Sequence, residues 1–147
     1  MTEEYLSNSA EETRRYGRQF ASGLHLGDIV SLTGQLGAGK TEFMRGITDF
    51  FNCSDQLSSP TFPILNIYQG SLFGGQVITI HHFDLYRIKS LHELEAIGFD
   101  EYLSSGYLSV VEWGDLFPEY ASLYSITVSL EYAGDNLRRI IINRPTS

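Results

Sequence analysis

Ile29-Val30-Ser31-Leu32-Thr33-Gly34-Gln35-Leu36-Gly37-Ala38-Gly39-Lys40-Thr41 decides the fold. Ile29 to Thr33 is a short apolar run, which reads as a buried strand. Gly34 to Thr41 then matches G-x-x-x-x-G-K-[ST] at every fixed position. A helix is expected from Lys40 to about Phe51, with Phe43, Ile47 and Phe50 on one side. In this order of strand, glycine loop and helix, each residue has a physical task. The glycines let the backbone turn tightly and aim successive N–H groups inward, at Leu36, Gly37, Ala38 and Gly39. The helix adds its positive N-terminus, a ready site for phosphate. Lys40 is placed for the β and γ phosphates, and the Thr41 hydroxyl for magnesium. The segment therefore implies ATP with Mg2+. Glu42 follows in the first helical turn, where a carboxylate suits the helix dipole but lies close to the anion. Its side chain is expected to point to solvent.

Outward from this segment, Ser9 and Glu12 have the spacing of a capping box. Thr13, Tyr16, Phe20 and Leu24 recur at helical spacing, so a helix is expected from about Ala10 to Gly23. Two strand-like runs, Phe62–Tyr68 and Gln76–Phe83, flank a glycine-containing loop and read as a hairpin. A short helix is expected over Ser90–Ile97 and a strand over Tyr107–Val111. Tyr124–Tyr132 and Leu137–Ile142 flank Ala133 to Asn136 as a second hairpin. The expectation is an α/β fold of three layers: a mixed sheet with a parallel core and antiparallel hairpins, and helices on both faces. At 147 residues, one domain spanning 1–147 is expected.

Composition narrows the function. The formal net charge is −8, and nucleic-acid binding through phosphate neutralisation needs clustered Lys and Arg. The bases that do cluster are Arg14, Arg15 and Arg18, then Arg138, Arg139 and Arg144. They read as a solvated helix face and a charged edge strand, a local basic patch being the alternative. Met1 to Tyr5 carries two acids and no basic residue, and no apolar run approaches the ~18 residues of a membrane span. A soluble, cytoplasmic protein is the expectation. The single cysteine, Cys53, reads as a small core residue.

Phosphoryl chemistry also calls for an acid at a strand end. Two candidates stand: Asp84, closing Val77 to Asp84, and Glu112, closing Leu108 to Glu112. Which of them positions an attacking water is open at this level. Thr61, in Ser58-Ser59-Pro60-Thr61, reads equally as a turn hydroxyl or as a contact to the γ-phosphate or its metal. His81 and His82 adjoin on a strand and point to opposite faces; one is expected packed and the other solvated. Trp113, the one tryptophan, directly follows Glu112.

The chain resembles the TsaE family, formerly YjeE. The likeness rests on Gly-Gln-Leu-Gly-Ala-Gly-Lys-Thr (34–41), Ser59-Pro60-Thr61-Phe62, His82-Phe83-Asp84-Leu85-Tyr86-Arg87, Glu95 to Leu103 and Val111-Glu112-Trp113. It implies a phosphate-loop ATPase of bacterial tRNA threonylcarbamoyladenosine synthesis. Such a protein acts on a TsaD–TsaB pair, resets it through ATP hydrolysis, and meets tRNA only through that pair. It further implies that Glu112 holds magnesium with Thr41, that Asp84 is needed for activity, and that Thr61 lies in a switch-like segment. Thr13 and a late basic residue, Arg138, fall near the adenine. Three positions depart from the pattern: Gln35 where the family usually has an acid, Glu42 in place of threonine, and Gly114 in place of proline or alanine. Two rival readings use the same loop, a small-molecule kinase and a binding switch that does not hydrolyse nucleotide.

Overall fold

The computed structural model describes residues 1–35, 37–53, 64–72 and 74–145. Its strands, in chain order, are β1 (Thr2–Ser7), β2 (Ile29–Gly34), β3 (Leu65–Ser71), β4 (Val77–Asp84), β5 (Leu108–Glu112), β6 (Ile126–Gly134) and β7 (Leu137–Asn143). The helices are α1 (Ala10–Ala21), α2 (Lys40–Phe50), α3 (Leu91–Ala96) and α4 (Phe99–Leu103), followed by two 3-10 turns, Gly114–Leu116 and Pro118–Leu123. Among the described residues the strands form one sheet in the order β1-β7-β6-β2-β5-β4-β3. The centre, β6-β2-β5-β4, is parallel, and β3·β4, β6·β7 and β1·β7 are antiparallel. The expected mixed sheet is present, with both hairpins.

Strand alternation divides the core. Val30, Leu32, Ile80, Val110 and Val128 face α1 and α2, where they pack on Phe20, Phe43 and Ile47. Phe83, Leu85 and Val111 face the other way, onto Leu94, Phe99 and Leu103 of α3 and α4. Burying each such side chain stabilises the fold by roughly 1.5–3 kcal/mol. Helices therefore cover both faces.

The capping box forms in a variant in which Glu12 closes on Asn8 N–H and not on the N-cap Ser9 N–H. Ser9 Oγ accepts from Glu12 N–H at 3.0 Å, and Glu12 Oε1 accepts in return from Asn8 N–H at 3.0 Å. α1 then lies directly on α2 through two glycines. A Cβ at Gly17 would overlap the Phe43 carbonyl, and one at Gly46 the Arg14 carbonyl. This contact fixes the height of α1 above the phosphate loop.

Two expectations are corrected. Phe50 is exposed, and it is Phe51, just past the helix end, that packs into the core at 1% exposure. β1 lies outside β7, so Arg138 and Arg139 sit on an inner strand rather than an edge. α4 and β1 are additional to the elements expected from the sequence. Cys53 is half-buried, packed against the core, with desolvation pushing its thiol up to about 11. Among the described residues no helix is long and apolar enough to cross a membrane.

Candidate functional site

β2 ends at Gly34, whose φ of 149° keeps the backbone against β6: a Cβ there would meet the Leu130 carbonyl. Gly37 and Gly39 have φ of 81° and 105°, conformations that favour glycine. Gly39 is the N-cap residue of α2 and has no side chain to satisfy the helix's first N–H groups. Those donors are left to point out of the loop.

Lys40 is 5% exposed. Its ammonium donates to the Gly34 carbonyl at 2.7 Å and lies 3.8 Å from the Trp113 ring centroid. Burial pulls its pKa down, and Glu112, Asp84 and Asp115 oppose that shift. The indole reaches Lys40 because Trp113 adopts a left-handed conformation, φ 63°, immediately after β5. Such strain in a non-glycine residue clusters at functional sites.

Asp84 and Glu112 are register partners at the ends of the parallel strands β4 and β5. Together with Lys40, Thr41 and Trp113 they line a cleft of about 360 Å³. Asp84 is exposed, and its Oδ1 accepts from Tyr86 N–H at 3.1 Å. Glu112 is half-buried, and its Oε2 accepts from His82 Nε2 at 2.6 Å. The expectation that one histidine is solvated is thus overturned. His82 lies on the Asp84 side of β4, stacked near Tyr68 at 6.3 Å, and only 11% of its side chain is exposed. The period of two that places His82 beside Asp84 was the available signal.

A second cavity, about 240 Å³, adjoins this cleft and shares Gly37, Gly39 and Glu42 with it. Thr13, Gly37, Gly39, Glu42 and Arg138 line it, so Thr13 and Arg138 do come together although they lie near opposite ends of the chain. Thr13 is 2% exposed, its hydroxyl 2.7 Å from that of Ser7. Arg138 lies over the Tyr132 ring at 4.2 Å and donates weakly to the Gly37 carbonyl at 3.5 Å.

Glu42 does not point to solvent. Its Oε2 accepts two bonds from Arg14, at 2.9 and 3.1 Å, and its Oε1 accepts from Arg45 at 2.8 Å. Two guanidinium groups thus offset its negative charge beside the loop. Arg14 is accordingly a tie between α1 and α2 rather than a free cation. At Gly114 the structure accounts for the small residue: a Cβ would overlap the Tyr124 hydroxyl. Leu36 and Thr61 lie outside the described residues. Gln35 is exposed, and its carbonyl accepts from Ala38 N–H.

Magnesium takes hard oxygen ligands and is commonly held through one or two carboxylates with the nucleotide phosphates and water. A threonine hydroxyl and two carboxylates on one cleft fit that donor set. Among the described residues no three His, Cys, Asp or Glu side chains gather as a metal cage.

Residues 7–141 match the family model described as threonylcarbamoyl adenosine biosynthesis protein TsaE. The chain is 42% identical to the tRNA threonylcarbamoyladenosine biosynthesis protein TsaE of Rickettsia conorii, over 89% of this chain and 72% of that one. It is 34% identical to the protein of the same name from Treponema pallidum, over 93% and 97% of the two chains. Its fold superposes on the crystal structure of Bacillus subtilis YdiB with a TM-score of 0.76 at 26% identity, covering 98% of this chain and 86% of that one.

Proposed function

The chain belongs to the TsaE family, and from that premise we propose that it is the ATP-binding, ATP-hydrolysing component of tRNA threonylcarbamoyladenosine biosynthesis. It acts in the cytoplasm on a TsaD–TsaB complex, supports that complex's turnover, and meets tRNA only through it. The observation that carries the ATPase part is the convergence of Lys40, Thr41, Asp84 and Glu112 on one cleft at the mouth of the phosphate loop.

Bound Mg2+ would neutralise charge on the β and γ phosphates and orient them for attack. Thr41 and Glu112 are the residues that would hold it. Lys40 exchanges the Gly34 carbonyl, and Ala38 N–H the Gln35 carbonyl, for phosphate oxygens, and the N–H groups of Gly37 and Gly39, with Leu36, complete the cradle. His82 fixes the Glu112 carboxylate, so the ligand oxygen is presented in one orientation. Asp84, exposed beside it, is available to orient a water, and Thr61 is the hydroxyl that would contact the γ-phosphate or its metal. The nucleoside occupies the cavity of Thr13, Glu42 and Arg138. The acidic surface agrees with a protein that leaves tRNA contact to its partners.

Phosphate release from Mg-ATP, measured alone and with TsaD–TsaB, tests the reading, with Lys40→Ala as control. Hydrolysis should rise with the pair and vanish in the variant. Lys40-dependent release indifferent to the pair would remove the coupling. Tight binding without release would leave a switch. Mg-ATP should also change Trp113 emission, because Lys40 leaves the indole, and Lys40→Ala should abolish that change.

A further inference from the structure

β4 turns His81 away from the phosphate loop, towards α4. Its ring is 4% exposed. Tyr102 and Tyr107 meet it edge-on, at 5.1 and 5.2 Å between centroids. Its Nδ1 is buried and has no hydrogen-bond partner among the described residues. Leaving such a group unpaired costs about 1–3 kcal/mol, a cost that phenylalanine at this position would not incur. Desolvation keeps the imidazole neutral, with one N–H and one lone pair.

This ring lines a cavity of about 590 Å³, with Glu95, Glu101, Tyr102 and Tyr107 around it. Glu95 and Glu101 are exposed and make no ion pair among the described residues. Some acids elsewhere are matched, Glu42 to Arg14 and Arg45, Asp49 to Arg18 and Glu4 to Arg139, while Glu11, Asp115, Glu119 and Asp135 share the unpaired state among the described residues. Residues 90–107 hold Glu93, Glu95, Asp100 and Glu101 and not one Lys or Arg. A neighbouring apolar cavity shares Ala96, Ile97 and Tyr102 with this one.

We infer that this face docks a protein segment presenting an arginine, whose guanidinium enters the cavity against Tyr102 and Tyr107 and pairs with Glu95 and Glu101. A planar cation suits both walls: its face lies on a tyrosine ring, and its N–H edge reaches carboxylates. An apolar residue beside the arginine fits against Ile97. Nucleic acid would be repelled by the same carboxylates. The site faces away from the phosphate loop and does not rest on the ATPase reading.

The probe is N-acetyl-arginine methylamide, titrated into the full chain labelled at histidine and tyrosine and followed by NMR. His81 and Tyr102 ring resonances should shift and saturate, while the citrulline analogue leaves them unmoved. Glu95→Gln with Glu101→Gln, at exposed positions that leave the fold intact, should weaken binding by roughly fivefold. Four outcomes would overturn the inference. They are no shift at His81, an equal shift with citrulline, an equal shift with spermidine, or the same shift on concentrating the protein alone, which would put a second copy in the cavity.

Discussion

His81 and His82 are chain neighbours on one strand, yet they share no surroundings. His82 faces the phosphate loop, is tied to Glu112 at 2.6 Å and is stacked near Tyr68. His81 faces α4, enclosed by aromatic edges, with a buried nitrogen that none of the described residues satisfies. Both rings hold a buried Nδ1 with no partner among the described residues, and what sets His82 apart is its other nitrogen, which positions Glu112. Strand alternation alone separates the two, which teaches that residue type says little until the face is known.

The largest expected effect breaks the loop side. Glu112→Gln should lower partner-stimulated hydrolysis by roughly a hundredfold or more. Its melting temperature should stay near that of the parent, since an amide oxygen can still accept from His82. Next comes the tie itself. His82→Leu should cost about 10–100-fold in hydrolysis or in Mg2+ affinity, the usual scale for groups that orient a metal ligand. His82→Gln, whose amide can donate to Glu112, should recover part of that loss. A purely structural role for His82 would instead lower stability equally in both variants.

The smallest effect belongs to the other face. His81→Phe should leave hydrolysis within about twofold and raise stability by about 1 kcal/mol. It should also flatten the pH response. Burial lowers the His81 pKa below 6.5, so folding favours the neutral ring. That contribution is whole above pH 6.5 and is lost as pH falls through the lowered value. Thermal melts at pH 7.5 and 5.5 should therefore converge in His81→Phe relative to the parent.

The front of the molecule follows from local pattern. Ser9 and Glu12 announce α1, and Gly34 to Thr41 announces the loop, because caps and glycine turns are decided within a few residues. The back does not. β1 is the strand Thr-Glu-Glu-Tyr-Leu-Ser, and its partners are Asn143 to Arg138 at the far end of the chain. Nothing within Met1 to Ser7 specifies that pairing. The same long reach hid Arg138 on an inner strand and brought it to Thr13. Glu42 departs from its expected solvent orientation because its two arginines come from different distances: Arg45 from the next turn, Arg14 from another helix. The tightness of α1 on α2 was equally hidden, since Gly17 and Gly46 look like any helix glycines until the two backbones meet.

The position of β7 bears on the order in which a ribosome-borne chain becomes competent. Thr13 and Gly39 emerge early, and α1 can settle on α2 while most of the sheet is still unmade. Arg138 emerges near the end, on a strand that must slot between β6, made just before it, and β1, made first of all. The earliest strand thus waits through nearly the whole of synthesis for its only neighbour among the described residues, a closure of long sequence separation and correspondingly slow kinetics. The cavity beside the phosphate loop gains its last wall only when that insertion is complete, so a half-made chain carries the loop without the pocket.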